Sequence, residues 1–241
     1  MKTDKQNIVD ILNEQFYSVY KKNECKNGTV KNIDPYTTKT CQVSDTIFDP
    51  ISVFKELKKL DKDKSVGVDG ISPVLLNECA ECFKTPISLI FKKSFNCSLL
   101  PSAWRNANIT PIFKKGQRNV ASNYRPISLT SIICKVMEKL IKNSMVEFLE
   151  NEKLISSHQH GFVKFKSCIT NLLECLDIIT ECINRGFAKD ILFIDFLKAF
   201  DLVPHEELFV KLEAFGFNGK TLNWLKAFLS DRKQRVVLDG V

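Results

Sequence analysis

The stretch ILFIDFLKAFDLVPH, residues 191–205, decides how the rest of the chain is interpreted. Its four leading apolar residues, Ile191–Ile194, predict a buried strand that ends at Asp195. A carboxylate at the end of a buried strand is costly unless something neutralises it, and a hard divalent cation does so well because carboxylate oxygens are its natural ligands. Such a position suits two-metal phosphoryl transfer. By itself the signal is weak, since an acid at a strand end is often only a turn residue.

Outward from this strand, helices are predicted from apolar residues at helical spacing. They cover residues 6–22, 51–60, 73–82, 85–97, 131–149, 167–184, 205–215 and 219–230. In the helix over 167–184 a repeating set of small and aliphatic side chains predicts a buried stripe in which thiols act as small hydrophobes. That stripe consists of Cys168, Leu172, Cys175, Ile179 and Cys182.

A short β-rich run, Ile109–Phe113, is followed by the basic turn Lys114-Lys115-Gly116, and together they predict a hairpin. Arg125 precedes a proline, so its backbone is expected to be extended. A final strand is predicted to begin at Gln234. Residues 23–50 are rich in Asn, Thr, Lys and Asp, and predict a linker. Helices around a few strands argue for an α+β domain.

Positive charge is concentrated in one segment. Residues 105–142 contain eight basic residues and one acid, Glu138, so this segment has a net charge of +7. The whole chain has the same net charge, +7. The remainder of the chain is therefore neutral. A patch this concentrated indicates a polyanion partner, with a solvated face as the alternative.

Cysteine use and hydropathy exclude several other classes of protein. The nine cysteines are odd in number and irregularly spaced, and Cys79 with Cys82 forms a lone C-x-x-C, so neither structural zinc nor a disulfide framework is expected. No stretch approaches the roughly 20 apolar residues that span a bilayer. The segment Met1–Phe16 lacks the apolar block of a signal peptide. These features predict an intracellular chain, in the nucleus or cytoplasm, without membrane partners.

Residues 193–203 resemble the first catalytic motif of reverse transcriptases from non-LTR retrotransposons, F-x-D-x-x-K-A-F-D-x-V. Six further blocks resemble the same family in the expected order, and the nearest likeness is to jockey-like elements. They are G-x-D-G-I-x-P at 67–73, P-x-x-W-K then P-I-F-K-K-G at 101–116, Y-R-P-I-S-L-T-S at 124–131, Gln-His-Gly-Phe at 159–162, Ser167–Leu172, and W-x-x-x-F-L-x-x-R-x-Q at 224–234.

The resemblance implies roles for individual residues. Asp195 would be the metal-binding carboxylate, in a family that uses two Mg²⁺ ions. Arg125 matches the arginine that holds the triphosphate of the incoming dNTP, since the guanidinium fork suits phosphate oxygens. Phe200 stands where the family places a ring beneath the sugar, excluding a 2′-hydroxyl; the alternative is a core phenylalanine.

The same resemblance assigns the basic residues to nucleic acid. Lys114 and Lys115 would lie near the triphosphate or the template backbone, although a solvated turn is nearly as good an interpretation. Together with Arg105 and Arg118 they are the predicted contacts to an RNA template and a DNA primer. The implied fold is the fingers and the first half of the palm of a right-hand polymerase over residues 51–241, preceded by a helix and linker over 1–50.

The sequence also departs from the family. Leu197 stands where Ser is usual, and Phe165-Lys166 replaces Gly-Arg. The family's later Pro-Gln-Gly and Tyr-x-Asp-Asp blocks are not found, and no two aspartates are adjacent anywhere in the 241 residues. The expectation is therefore a reverse transcriptase fragment that is inactive by itself. The alternatives are a non-catalytic nucleic-acid-binding fragment and a truncated pseudogene product.

Overall fold

Helices dominate the computed structural model, which describes residues 4–21 and 33–238. Nine helices and three strands occur in these ranges, with short 3-10 turns at Asp45–Phe48 and Ala121–Asn123. This content confirms the α+β class. In chain order the elements are α1 Lys5–Lys21, α2 Pro50–Lys58, α3 Pro73–Glu78, α4 Ala80–Cys97, α5 Ser102–Arg105, β1 Asn106–Phe113, β2 Tyr124–Leu129, α6 Ile132–Asn151, α7 Cys168–Asn184, α8 His205–Ala214, α9 Gly219–Leu229 and β3 Lys233–Val236.

The main core lies between α2, α4, α6 and α9. Its aromatic centre is Phe48, whose ring meets Phe91 and Phe95 edge to face at centroid distances of 5.7 and 5.5 Å. Such edge-to-face pairs add to the stability that burial of the rings provides. Trp224 of α9 is buried in the same cluster and donates from Nε1 to Ser94 Oγ of α4 at 3.2 Å. These contacts fix α9, which leads directly into β3.

The predicted linker over 23–50 is wrong for its described part, residues 33–50; residues 23–32 lie outside the described ranges. Cys41, Val43 and Phe48 are buried in the main core. Cys41 donates its backbone N–H to the carbonyl of Gly216 at 2.8 Å. The segment is polar overall, yet its few apolar side chains suffice to dock it on the core.

The three strands form one sheet in the order β2-β1-β3. The hairpin prediction is confirmed, since β1 and β2 are antiparallel with Phe113 opposite Tyr124. The predicted final strand is confirmed as β3, which pairs in parallel with β1. Helix α1 covers one face of the sheet, where its Val9, Leu12 and Phe16 pack with sheet residues in a second, smaller core. Those sheet residues are Ala107, Ile109 and Val236.

Two burial predictions are wrong. Residues 191–194 form no strand, and all four side chains are exposed, Phe193 to 86%. Helix α7 has the predicted bounds, but none of its residues is buried, so the cysteine stripe is half-buried or exposed. Both regions are exposed because no other element of the described chain covers them. Within the described chain no strand pairs with residues 191–194, and the apolar side chains of α7 remain open to solvent.

The length and hydropathy of each helix decide whether it could cross a membrane. Within residues 4–21 and 33–238, none of the helices combines the length and the apolar content needed to cross a bilayer.

Candidate nucleotide and nucleic-acid site

Arg125 lies on β2, the edge strand of the hairpin, opposite Ile112 of β1. Its backbone is extended, as predicted from the proline that follows it, and its side chain is exposed. Antiparallel pairing holds this strand rigidly, so the guanidinium projects from a fixed base. A fixed, solvent-facing guanidinium can form paired hydrogen bonds to a phosphate group.

The basic turn follows β1 directly. Lys114 and Lys115 are exposed, and the backbone N–H of Lys114 donates to the carbonyl of Asn123 at 2.8 Å, which closes the loop. Gly116 adopts a φ of +90°, and a Cβ there would lie 2.6 Å from the amide nitrogen of the Asn123 side chain. Glycine therefore allows the turn to close tightly and to present both lysines beside β2.

Arg118 belongs to the same loop. Its guanidinium lies 5.3 Å from the centroid of the Phe113 ring, and its carbonyl accepts a hydrogen bond from the hydroxyl of Tyr124 at 2.9 Å. These contacts hold Arg118 at the turn end of the hairpin. Lys114, Lys115, Arg118 and Arg125 are thus grouped on one supersecondary unit, as a shared phosphate-binding role requires.

Arg105 lies apart from this group, at the end of α5 and the start of β1. Its Nη1 contacts Asp231 Oδ2 at 3.4 Å. The nucleic-acid contact predicted for Arg105 would therefore lie at the opposite end of β1 from the basic turn.

The only acid in the basic segment, Glu138, lies half-buried on α6. Burial raises the pKa of its carboxyl group, while a hydrogen bond with Cys134 and the charges of Arg232 and Lys135 act in the opposite direction. Because Glu138 is withdrawn towards the core, it counters the exposed cations of the hairpin less than its formal charge suggests.

Asp195 and Phe200 lie in an irregular segment between α7 and α8. Asp195 is exposed and, among the described residues, has no hydrogen-bond or ion-pair partner. Phe200 is 80% exposed, so the alternative of a core phenylalanine is wrong. Its ring meets Phe162 edge to face at 5.9 Å. No hydrogen bond or ring contact within the described ranges joins either residue to the hairpin.

The described residues do not form a metal-binding cluster. No three His, Cys, Asp or Glu residues are arranged there to hold a metal ion. The eight described cysteines, including Cys79 and Cys82, form no disulfide. Asp195 therefore offers a single carboxylate, which does not amount to a two-metal site in these residues.

His158 and His160 both contact one carboxylate. Glu174 of α7 accepts hydrogen bonds from ring nitrogens of His158 and His160, the latter from Nε2 at 2.6 Å. The hydrogen bonds from His158 and then His160 hold the pKa of Glu174 below its ordinary value. The cluster fastens the 158–160 loop to α7 and has no contact with Asp195.

Sequence reasoning missed two basic residues of the sheet, Lys233 and Arg235. Both lie on β3 and are exposed. The signal that could have found them is the alternation Lys-Gln-Arg-Val over 233–236, which places two cations on one face of a strand. They lie outside the segment that the charge count singled out.

The family model described as reverse transcriptase (RNA-dependent DNA polymerase) matches residues 112–240, which include Arg125, Asp195 and Phe200. The match therefore covers more than half of the chain.

Relatives with curated names agree with the family model. The RNA-directed DNA polymerase from mobile element jockey of Drosophila melanogaster is 31% identical over 186 residues, which cover 76% of this chain and 20% of that protein. A protein of the same organism named "Probable RNA-directed DNA polymerase from transposon BS" is 28% identical over 182 residues, 75% of this chain and 20% of that protein. The chain thus spans about a fifth of the length of these curated relatives.

Proposed function

The chain belongs to the reverse transcriptase family, that of the non-LTR retrotransposon polymerases, and from that premise we propose that it forms the nucleotide-binding part of an RNA-directed DNA polymerase. In the proposed reaction a primer 3′-hydroxyl attacks the α-phosphate of a dNTP, one phosphodiester bond forms, and pyrophosphate leaves. The observation that supports this most is the family match across residues 112–240, which includes the exposed Arg125 on its rigid strand.

The proposed roles follow the geometry of the hairpin. Arg125 holds the triphosphate of the incoming dNTP through paired hydrogen bonds, which orients the α-phosphate towards the primer. Lys114 and Lys115, beside β2 on the closed turn, neutralise charge on the triphosphate or on the template backbone. Arg118 and Arg105 add contacts to nucleic acid. In each case the protein contributes positioning and electrostatic stabilisation.

Divalent metal ions are general in this family, but the described residues of this chain do not complete a site for them. Asp195 fits one carboxylate ligand of such a site, because hard cations prefer carboxylate oxygens. We therefore propose Asp195 as a metal ligand of the complete enzyme, with Mg²⁺ as the ion. The 241 residues by themselves are proposed to be inactive, since one carboxylate does not hold two ions.

At the level of architecture, we propose that residues 51–241 correspond to the fingers and first half of the palm, and residues 1–50 to a preceding segment. The substrates are an RNA template, a DNA primer and dNTPs. Because these occur together inside the cell, the proposed activity belongs in the nucleus or cytoplasm.

The test of the proposed function is primer extension by a chimera in which these residues are joined to the remaining polymerase region of the jockey protein. We expect the chimera to extend a DNA primer on an RNA template. Asp195→Asn should lower extension by several orders of magnitude while RNA affinity stays unchanged, because the substitution removes a metal ligand and keeps the shape. Substantial extension by the Asn variant in Mg²⁺ or Mn²⁺ would contradict the role of Asp195.

Sugar selection gives a second test in the same chimera. Phe200→Val should raise incorporation of ribonucleotides relative to dNTPs, because a smaller side chain leaves space for a 2′-hydroxyl. The exposure of Phe200 outside the core supports this proposal. Single-nucleotide insertion with matched dNTP and NTP substrates would measure the ratio, and Phe196→Val, an exposed phenylalanine in the same segment, is the control. An unchanged ratio in the Phe200 variant would exclude the role.

A further inference from the structure

The register of the sheet places three cations on the same face. In the parallel pair, Asn106 lies opposite Lys233 and Asn108 opposite Arg235. In the antiparallel pair, Ile112 lies opposite Arg125. Residues paired across strands share a face, and so do alternate residues along β1. Arg235 Nε donates to Asn108 Oδ1 at 2.8 Å, which places those two side chains together.

This cation face is the side of the sheet away from α1. The residues that alternate with Asn106 and Asn108, namely Ala107 and Ile109, are buried against α1 together with Val236. On the cation face, Arg125, Lys233 and Arg235 are all exposed. The face therefore combines a rigid backbone with solvent-accessible positive charge.

A cleft of about 280 Å³ opens at the β1–β3 edge of this face. The volume lies just below the roughly 300–1,000 Å³ of sites for small molecules, and therefore suits a group of few heavy atoms. A phosphate with its sugar is of that size. The cleft is lined by Val68, Asn106, Ala107, Asn108, Lys233, Gln234 and Arg235.

The charged side chains that line the cleft, Lys233 and Arg235, are both positive. Within residues 4–21 and 33–238, neither Lys233 nor Arg235 forms an ion pair with a carboxylate. Asp231, two residues before Lys233, contacts Arg105 instead. Exposed cations that have no carboxylate partner among the described residues favour a ligand rich in negatively charged acceptor oxygens.

We propose that Lys233 and Arg235 bind the phosphodiester backbone of single-stranded RNA in this cleft, and that the cation face continues to Arg125. Asn108 and Ile112, the partners of Arg235 and Arg125, are separated by four residues of β1, or about 13 Å at ~3.3 Å per residue. An RNA strand that runs parallel to β1 therefore reaches both cations. The identity of the polyanion as RNA rests on the proposed function; the cleft itself rests on the register, the charge and the residues that line it.

The experiment uses the 241-residue chain and a short, end-labelled, single-stranded RNA, with binding measured by fluorescence anisotropy across a salt series. The test variant is Lys233→Ala/Arg235→Ala. The matched control is Lys55→Ala/Lys58→Ala, which removes the same charge from exposed positions of α2. Circular dichroism melting of all three proteins checks that they are equally folded. A neutral-backbone oligomer of the same base sequence shows whether phosphate is what is bound.

Each phosphate contact to single-stranded nucleic acid contributes about −0.7 to the slope of log K against log salt. Loss of two contacts should therefore make the slope of the test variant shallower by about 1.4. The control variant should keep the wild-type slope, and the neutral oligomer should bind wild type and test variant equally weakly. A test variant that matches the control would overturn the proposal and leave the proposed polymerase intact.

Two further outcomes separate the cleft from the proposed function. Absence of salt-dependent RNA binding by the wild-type chain overturns both the cleft and the template-binding role. A wild-type slope that depends on Lys233 and Arg235 supports the cleft even where the chimera fails to polymerise.

Discussion

Glu56 is a nearly buried carboxylate that joins two helices. It lies on α2 with its side chain 8% exposed, and its oxygens contact Lys59 Nζ at 2.9 Å and Lys139 Nζ of α6 at 2.5 Å. Burial acts to raise the pKa of this carboxyl, but the hydrogen bonds and charges of Lys139 and Lys59 outweigh burial and hold the pKa below its ordinary value. A carboxyl with a lowered pKa stabilises the fold when it is ionised.

The sign of the pH dependence follows. The contribution of Glu56 is fully present above its unfolded pKa of about 4.3 and is lost as the pH falls through its lower folded value. Glu56→Gln should lower the free energy of unfolding by about 1–3 kcal/mol at pH 7, because hydrogen bonds to a charged group are lost. The difference from wild type should shrink as the pH is lowered from 5 towards 3. Urea denaturation over this pH range measures both effects.

Glu78 provides the matched control for Glu56. It is also a helical glutamate that contacts a lysine, Lys62, but its side chain is 57% exposed. Because exposed ion pairs contribute little, Glu78→Gln should leave stability almost unchanged. Equal effects of the two substitutions would show that burial of Glu56 is not what makes its ion pairs important.

The junction between the 64–70 loop and α6 depends on a close backbone approach. A Cβ at Gly67 would lie 2.5 Å from the carbonyl oxygen of Thr130 and 2.8 Å from the backbone nitrogen of Ser131. Ser131 is the N-cap of α6 and accepts a hydrogen bond from the backbone N–H of Cys134 at 3.3 Å. Any side chain at Gly67 therefore displaces the start of α6.

Gly67→Ala should accordingly destabilise the protein by about 2–3 kcal/mol, through overpacking against backbone atoms that do not rotate away. Gly70→Ala is the comparison. Gly70 has a φ of +67° and no atom within 4 Å of an added Cβ, so only the cost of the left-handed backbone applies, about 1 kcal/mol. Thermal unfolding of both variants measures the difference. A Gly70 variant less stable than the Gly67 variant would contradict the steric account.

Helix α7 shows which parts of an element are predictable from sequence. Its bounds are local, because Ser167 and Thr170 form a capping box and Gly186 has a φ of +73° beyond its end. Its burial is not local. Apolar spacing identifies a face that could be covered, whereas burial requires a second element, and none covers Leu172 in the described chain.

The strands show the same difference between local features, which the sequence predicts, and contacts between distant residues, which it does not. The hairpin follows from neighbouring sequence, with Arg125 held extended by the proline after it. The β3 strand was predicted, but its parallel pairing with β1 was not, because Asn106 and Lys233 are far apart in sequence. The cleft at that edge, with Lys233 and Arg235, was therefore invisible to motif reasoning. For α2, the N-cap is Asp49, and Pro50 occupies the first turn.

At the scale of the molecule, the described chain has two cores with different roles. The main core, with Phe48, Phe91 and Trp224, supports the helices. The smaller one, where α1 packs on Ala107 and Ile109, supports the sheet and leaves the cation face open. The cations of the hairpin and β3 that are proposed to bind nucleotide and RNA are therefore attached to the smaller core, so loss of α1 should affect RNA binding before it affects the helices.

The exposed segment 191–197 has a consequence for the behaviour of the protein in solution. It contains six large apolar side chains and one charge, without proline or glycine, and all seven residues are exposed. Short windows of this composition stack in register into dry steric zippers when they are open to other copies. We therefore expect the purified chain to nucleate fibrils, seen as thioflavin T fluorescence after a lag. Leu192→Lys should lengthen that lag because a charge interrupts the zipper, whereas the substitution Leu99→Lys at an exposed leucine outside the segment should leave it unchanged. Equal lags in the two variants would place fibril nucleation elsewhere in the chain.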